Sequence, residues 1–312
     1  MKMEKCLVLL SSYNGEHYIK EQIESILSQK GVRVKVLVRD DGSKDKTLDI
    51  LNSIKDERID IHAEKNIGCI ASFSWLVNYA YKNYSEYEYF AFADQDDFWM
   101  ENKLDVGISK LLEYDKNCPN LYFCNMELVN SKLSFVCLMR NHDIDMRKGN
   151  IWLGGRAAGC TMVFNKKALE MYAEHNPNYC YHDFWMNLIA LYFGNVYYDT
   201  NPYIKYRQHE FNVLGAHGQV SKKARNKERF TYWFKDSKSE AHRNCAKDFL
   251  TQFDKELHDE DKNIIDMYLG YHKSLLGFLR FLMSKQFCSK EPERVCLRGR
   301  CLYFIRALFG KY

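Results

Sequence analysis

An apolar run ends in three closely spaced carboxylates in the stretch Phe90-Ala91-Phe92-Ala93-Asp94-Gln95-Asp96-Asp97-Phe98-Trp99. The run at 90–93 is typical of a strand that is buried on both faces. Carboxylates a few ångströms apart repel one another strongly in a cleft of low dielectric constant. This charge is dispersed into solvent, as in a surface turn, or partly removed by protonation, or neutralised by a hard divalent cation with oxygen ligands. The rest of the chain favours the cation.

The composition is that of a folded protein with one large α/β domain and a smaller appendage. The 312 residues (37.0 kDa) are 46% hydrophobic and 15% aromatic, which excludes wholesale disorder. Only 4 prolines and 16 glycines occur, which excludes a collagen-like or low-complexity chain. We expect a catalytic domain over residues 1–220 and a mainly helical, basic region over 221–312.

The cysteines and the apolar runs indicate the compartment. The 11 cysteines contain no C-x-x-C pair, so we expect them to be reduced and to pack as small apolar side chains. The run at 6–10 is too short for a signal peptide, and no stretch of about 18 uninterrupted apolar residues predicts a membrane span. These features predict a cytoplasmic protein.

Strands and helices alternate through the first third of the chain. Strand-like runs cover residues 6–10, 34–38, 59–62 and 90–93. Apolar residues recur at helical spacing between them, so the chain predicts four strand–helix units and a mostly parallel sheet flanked by helices. Such sheets bind ligands at the carboxyl ends of their strands. The polar residues that follow these strands are Ser11, Tyr13, Asp40, Asp41, Asp94 and Asp96.

No glycine-rich phosphate motif accompanies this sheet. Neither G-x-G-x-x-G nor G-x-x-x-x-G-K-[ST] occurs, which argues against a Rossmann dehydrogenase and a phosphate-loop enzyme. Phosphate groups bound at this edge would therefore be held through a metal.

Three motifs together resemble the family 2 glycosyltransferases, which have the GT-A fold. They are Ser11-Ser12-Tyr13-Asn14, Asp40-Asp41-Gly42-Ser43 and Asp94-Gln95-Asp96-Asp97, on strands one, two and four. The resemblance covers roughly residues 5–215, and its specificity comes from the combination of motifs. It implies a GT-A catalytic domain with a C-terminal helical extension.

The resemblance also implies roles for single residues. Ser11, Tyr13 and Asp41 would contact the nucleotide base or ribose, Asp94 the ribose, and Asp96 a divalent metal, Mg²⁺ or Mn²⁺, that bridges the diphosphate. For Asp40 we expect a structural role, paired with a nearby arginine or lysine.

A second informative stretch is Tyr181-His182-Asp183-Phe184-Trp185, at the start of a helical pattern. An acidic residue there favours the helix dipole, and this purely structural role is one interpretation of Asp183. In the family pattern the residue is the general base, and the two roles are compatible. The His-Asp-aromatic-Trp sequence is similar to the rhamnosyltransferase-like subset.

The stretch that ends in Arg207-Gln208-His209 is also similar to that subset. His209 is either a metal or diphosphate ligand or a histidine in an ordinary hydrogen bond. Small residues at 154–159 predict backbone packed closely against a ligand or another strand. The candidate acceptor or sugar contacts are Asp97, Trp99, Gly155, Arg156, His182, Trp185, Arg207 and Gln208.

The C-terminal region concentrates positive charge. Residues 280–312 hold eight lysines or arginines against two glutamates, a net charge of +6. Because the whole chain has a net charge of +4, residues 1–279 sum to about −2. Apolar clusters at 275–281 and 295–309 predict amphipathic helices that lie on an anionic bilayer, dock on the catalytic domain or pair two chains as a homodimer. Residues 221–240 predict a mobile link or an active-site flap. Nucleic-acid binding is not expected, because the basic residues alternate with leucine and phenylalanine.

The predicted function is that of an inverting glycosyltransferase that adds one sugar per encounter, because the chain lacks the Q-x-x-R-W motif of processive relatives. The donor is a nucleotide-diphospho-sugar, with dTDP-L-rhamnose favoured by the resemblance. The acceptor is a hydroxyl of a growing cell-surface polysaccharide of capsule or cell wall, or of a lipid-linked oligosaccharide. Two alternatives stay open: a metal-dependent nucleotidyltransferase, and a non-catalytic sugar-nucleotide-binding protein.

Overall fold

The computed structural model describes residues 3–141, 143–153, 157–209, 237–271 and 273–287. Predictions for Gly155, Arg156 and the tail beyond 287 lie outside these residues, as does most of the predicted link at 221–240. The chain divides into two compact units. The first unit contains the described residues within 1–142, 157–176 and 181–218, and the second those within 143–156, 177–180 and 219–312.

The first unit is built on a sheet that runs β3-β2-β1-β4-β8-β6-β9-β5, with β7 paired to β6. Pairing is parallel from β3 to β4, antiparallel around β8, and parallel again between β6 and β9. The strands are β1 Lys5–Ser12, β2 Arg33–Asp40, β3 Ile59–Ala63, β4 Tyr89–Ala93, β5 Phe98–Trp99, β6 Asn120–Val129, β7 Phe135–Leu138, β8 Met162–Asn165 and β9 Asn195–Arg207.

Helices cover both faces of this sheet because its central strands are apolar on both sides. In β1, residues 6–10 have no exposed surface at all, as a strand between two helical layers requires. The helices of this unit are α1 Ile19–Leu27, α2 Thr47–Ser53, α3 Cys69–Asn83, α4 Lys103–Leu111, α5 Lys166–Glu174 and α6 His182–Phe193, with a 3-10 turn at Gly159–Thr161.

The register of the sheet brings the predicted motifs to one edge. Ser12 pairs with Asp40, and Leu10 pairs with Ala93, so β1, β2 and β4 end side by side. β5 pairs antiparallel with β9, with Phe98 opposite Lys205. The chain that leaves β9 therefore passes the acidic loop after β4, and the predicted convergence of the strand ends is confirmed.

The second unit contains α7 Ser237–Gln252, α8 Asp259–Gly270 and α9 Leu275–Met283, with 3-10 turns at Asn150–Leu153 and Lys285–Phe287. Trp152 is buried here, with its ring centroid 6.1 Å from that of Phe249 and 5.7 Å from that of Tyr268. Among the described residues, no helix is both long and apolar enough to cross a membrane.

One cysteine pair differs from the sequence-based expectation. Cys180 and Cys245 form a disulfide with their Cα atoms 5.4 Å apart, so these two are not the reduced apolar residues that we predicted. The bridge closes a loop of 65 positions and ties the segment before α6 to α7, a long-range constraint that spacing alone does not reveal.

Candidate active site

The loop after β2 is held together by its own aspartates. Asp40 Oδ2 accepts hydrogen bonds from Ser12 Oγ (3.0 Å) and Ser43 Oγ (2.5 Å), and Asp40 Oδ1 accepts one from Ser43 N (2.8 Å). Asp40 has no exposed surface. Its role is structural, as expected, but its partners are serine hydroxyls and an amide instead of the predicted arginine or lysine.

The guanidinium in this region belongs to Arg39, which pairs with Asp41. Arg39 Nη1 lies 2.5 Å from Asp41 Oδ1, and both side chains are buried. The same Asp41 carboxylate accepts hydrogen bonds from the amides of Ile67 (2.8 Å) and Gly68 (2.9 Å). Gly68 has φ 83°, a conformation that favours glycine, directly before α3. Asp41 therefore anchors the entry of α3, and its predicted nucleotide contact stays a prediction.

Ser11 and Tyr13 lie on the loop after β1. Ser11 Oγ is 2.6 Å from Ser72 Oγ, while the Tyr13 side chain is exposed and free to stack on a planar ligand. Gln95 clamps this loop to the acidic one: it accepts from Tyr13 N (2.8 Å) and donates Nε2 to Tyr13 O (3.0 Å). A Cβ at Gly15 would lie 2.3 Å from Gln95 Oε1, so the clamp requires glycine there. Gln95 was not among the predicted site residues, because no local sequence signal indicates this clamp.

The acidic loop after β4 concentrates negative charge. Burial, reinforced by the charges of Asp96 and Asp183, raises the pKa of Asp94 to about 7. Burial, reinforced by the charges of Asp96 and Asp94, also raises the pKa of Asp97 well above its usual range. Within the described residues, no lysine or arginine forms an ion pair with Asp94 or Asp96. This uncompensated charge fits a divalent cation.

The two predicted metal ligands lie side by side. His209 Nε2 is 2.8 Å from Asp96 Oδ2, although the residues are 113 positions apart, and the imidazole packs against the Tyr18 ring at 5.0 Å between centroids. One carboxylate oxygen and one imidazole nitrogen in contact are a donor set that suits Mn²⁺ better than Mg²⁺.

Asp94, Asp97 and Cys160 offer a second set of ligand atoms, which lie within 4.8 Å of one another. Burial and the nearby carboxylates raise the pKa of the Cys160 thiol well above its usual range. A protonated thiol is a poor metal ligand, and hard cations prefer oxygen, so Asp96 with His209 fits such a cation better.

Arg207, the last residue of β9, holds the acidic loop in place through hydrogen bonds. Its buried guanidinium donates Nε to Asp96 O (2.9 Å) and Nη1 to Ser131 O (2.5 Å), and Nη2 pairs with Glu21. Gln208 N donates to Val129 O (2.8 Å) and continues the strand pairing. These bonds support a positioning role for both residues more directly than the predicted sugar contact.

Trp99 and Lys103 lie in the core beneath that loop, both without exposed surface. Lys103 Nζ lies 3.4 Å from the centroid of the Trp99 ring and has no hydrogen-bond partner among the described residues. Burial lowers the pKa of Lys103 to about 8, against the opposing influence of nearby thiols and Asp97. The Trp99 indole is therefore inaccessible to a sugar, contrary to the predicted sugar contact. Lys103 was not among the predicted site residues. Its only signal is its place on the apolar stripe of α4.

Asp183 occupies the first turn of α6. Its Oδ1 accepts a hydrogen bond from Phe184 N (2.7 Å), and the amide of Gly159 is a second donor. Burial raises the pKa of Asp183 to about 6, while these hydrogen bonds act in the opposite direction. The thiol of Cys160, the residue after Gly159, lies against the Asp94 carboxyl, and the charge of Asp183 contributes to the raised pKa of Asp94. The structure thus brings Asp183 and the D-x-D motif together.

His182 and Trp185 pack behind Asp183. The His182 ring stacks on Phe73 at 3.6 Å, and its burial lowers its pKa to about 3, so the imidazole is neutral. Trp185 has no exposed surface and donates Nε1 to His175 O (2.6 Å). A Cβ at Gly159 would lie 2.4 Å from His182 Nε2, which explains the small residue before β8. Both buried rings therefore support the first turn of α6, which carries Asp183, and are not positioned to touch a sugar.

Comparison with known proteins identifies relatives. The dTDP-rhamnosyl transferase RfbG of Shigella flexneri is 29% identical over 235 residues, which are 70% of this chain and 77% of the relative. The UDP-Glc:alpha-D-GlcNAc-diphosphoundecaprenol beta-1,3-glucosyltransferase WfgD of Escherichia coli is 34% identical over 124 residues, 40% of this chain and 46% of the relative.

A solved structure supports the fold. S. aureus TarS 1–349 in complex with UDP-GlcNAc matches 97% of this chain and 81% of its own with a TM-score of 0.58 and 20% identity, and this confirms the predicted GT-A fold. The family model Glycosyl transferase family 2 matches residues 7–171, more than half of the 312 positions. The chain therefore belongs to glycosyl transferase family 2, and it is a glycosyltransferase.

Proposed function

We propose that this glycosyltransferase moves one sugar from a nucleotide-diphosphate donor to an acceptor hydroxyl, with inversion at the anomeric carbon and Asp183 as the general base. One observation carries the proposal. The amide of Gly159 donates to Asp183, and the thiol of the next residue, Cys160, lies against the Asp94 carboxyl, so the proposed base adjoins the proposed diphosphate site. A single displacement needs these two components next to each other.

Asp183 takes the proton of the acceptor hydroxyl while that oxygen bonds to the anomeric carbon. The bond from the anomeric carbon to the diphosphate oxygen breaks at the same time, and the diphosphate leaves with the electron pair. The amides of Phe184 and Gly159 fix the direction of the carboxylate. Because the pKa of Asp183 is about 6, the base is largely ionised at neutral pH yet still basic enough to accept a proton.

Asp96 and His209 would hold a divalent metal, Mg²⁺ or Mn²⁺. When bound, the ion neutralises charge on the donor diphosphate. Ser11, Tyr13, Asp41 and Asp94 would contact the nucleotide, and the exposed ring of Tyr13 suits stacking on the base. Arg207 keeps the Asp96 backbone in place through its Nε hydrogen bond.

For the donor we propose dTDP-L-rhamnose, transferred to a cell-surface polysaccharide or a lipid-linked oligosaccharide. The His182-Asp183-Phe184-Trp185 sequence and the relative RfbG support it. WfgD, whose name specifies UDP-Glc, supports a UDP-hexose as the competing donor. Hydrolysis and transfer measured with dTDP-rhamnose, UDP-glucose and UDP-galactose distinguish them. Turnover of a UDP-hexose without turnover of dTDP-rhamnose contradicts our assignment.

The variant Asp183→Asn tests the base. Asparagine keeps the shape and caps a helix well but cannot accept the proton, so single-turnover transfer should fall by roughly 10²-fold or more. Donor affinity and melting temperature should hardly change. The control is Asp105→Asn, an exposed acid in the first turn of α4, which should transfer normally. Near-normal transfer by Asp183→Asn would remove this residue from the mechanism.

A further inference from the structure

Helix α9 exposes a continuous apolar face. The exposed fractions are 72% for Leu275, 60% for Leu276, 44% for Leu279 and 79% for Met283. At about 100° per residue these four positions, with the half-buried Leu282 between them, fall within an arc of roughly 120°. Large apolar side chains exposed singly are ordinary, but a contiguous stripe along one helix marks an interaction surface.

The other side of α9 is packed, which fixes the helix and leaves the stripe outward. Phe278 and Phe281 are buried, with the Phe281 ring centroid 4.7 Å from that of Tyr271 and 4.5 Å from that of Phe287. Ser274 caps the helix by accepting from Gly277 N (3.0 Å). The exposed leucines are therefore additional to the side chains that hold the helix in its unit.

Unpaired positive charge surrounds the stripe. Residues 271–287 contain Lys273, Arg280 and Lys285 but no aspartate or glutamate. All three cations are exposed, and none forms an ion pair with any described part of the chain. An apolar face bordered by free cations is complementary to a surface that combines acyl chains with anionic headgroups.

We propose that α9 docks the enzyme on a bilayer containing anionic phospholipid. The helix lies in the interface: nine residues span about 14 Å, far less than the roughly 30 Å of hydrocarbon, so Leu275, Leu276, Leu279 and Met283 enter the headgroup boundary while Lys273, Arg280 and Lys285 meet phosphates. This docking is independent of the proposed donor and acceptor and stands if either assignment fails.

The test is sedimentation of the full chain with vesicles of phosphatidylcholine, with and without phosphatidylglycerol. The wild type should bind the anionic vesicles, more weakly at high salt. The triple variant Leu276→Ser, Leu279→Ser, Met283→Ser should bind at least about tenfold more weakly, because the inserted apolar area is lost.

Arg280→Glu with Lys285→Glu should weaken binding and reduce its salt dependence. Phe135→Ser, which removes a 60% exposed ring on β7, is the control and should bind like the wild type.

Three results overturn the proposal. The first is wild-type protein that does not bind anionic vesicles, and the second is a triple variant that binds them as well as the wild type. The third is a wild-type dimer that the triple variant converts to monomer without weakening vesicle binding, because the face would then join two chains. If the melting temperature shows that the triple variant is unfolded, Met283→Ser alone replaces it. Because Met283 is the most exposed residue of the stripe, this single substitution should still weaken vesicle binding measurably.

Discussion

The loops after β2 and β4 lie at the same edge of the sheet and both carry aspartates, but the carboxylates of the two loops have different partners. After β2, Asp40 and Asp41 are buried and accept hydrogen bonds from serines, backbone amides and Arg39. After β4, Asp94 and Asp96 have no arginine or lysine partner among the described residues, and the pKa of Asp94 rises to about 7.

The difference shows that an acidic motif at a strand end has two uses. A carboxylate whose two oxygens are paired, such as that of Asp41, stabilises the loops around it without a cation. A carboxylate crowded by others, such as that of Asp94, has a raised pKa and is stabilised when a cation or a proton binds it. The loop after β2 is thus fixed by its own hydrogen bonds, whereas the loop after β4 crowds carboxylates that a bound cation would stabilise.

The largest effect is expected for the variant Asp96→Ala. Loss of a hard oxygen ligand should remove metal-dependent donor binding and reduce transfer by about 10³-fold or more. Calorimetric metal titration and single-turnover transfer measure the two losses, with the exposed Glu113→Ala as control. Full wild-type activity in chelator would show that the free charge after β4 serves another purpose.

The variant Asp41→Asn should act on stability. It leaves the Arg39 guanidinium buried without its counter-charge, which should lower the free energy of unfolding by about 3–5 kcal/mol. Asp56→Asn breaks the exposed pair with Arg58 and should cost less than about 1 kcal/mol. Denaturant unfolding measures both. If Asp41→Asn unfolds like the wild type, the Arg39–Asp41 pair does not stabilise this loop and the contrast between the loops fails.

Gly159→Ala tests how closely the first turn of α6, with Asp183, is packed. The new Cβ would lie 2.4 Å from His182 Nε2, so the overpacking should lower the free energy of unfolding by about 1–3 kcal/mol and slow transfer by shifting Asp183. Gly270→Ala is the matched control, since a Cβ there meets nothing within 4 Å. Equal melting temperatures for the two variants would contradict the packing.

The smallest effect concerns pH. A carboxylate with a pKa of about 6 is protonated at lower pH and cannot act as a base, so single-turnover transfer at saturating donor and metal should fall about tenfold per pH unit below 6 and be flat above it. Parallel measurements of donor affinity separate loss of the base from loss of binding. A rate constant that does not change down to pH 5 would exclude Asp183 as the titrating group.

Much of the first unit follows from local pattern. The apolar run at 90–93 appears as β4, Tyr89–Ala93, with the three aspartates directly after it. Motifs that end neighbouring parallel strands must meet at one edge, so the approach of Ser11, Asp41 and Asp94 was predictable before any contact was known. The proximity of Asp183 to these residues was predictable only through the family resemblance.

Other features depend on contacts between distant parts of the chain. The antiparallel pairing of β5 with β9 places Arg207 beneath Asp96 and His209 beside it, and strand pairing over such a separation has no local signal. The burial of Trp99 also follows from this packing, which reverses the expectation that its ring faces a sugar.

The sequence by itself determined the alternation of strands and helices, the acidic strand ends and the family, because each depends on residues close together in the chain. Only the tertiary structure decided which carboxylates are paired with an arginine and backbone amides and which have no such partner. Arg39 and two amides reach Asp41, while no described lysine or arginine pairs with Asp96. The free energy of a carboxylate depends on the dielectric and the partners within a few ångströms, and those are set by the packing of the whole unit.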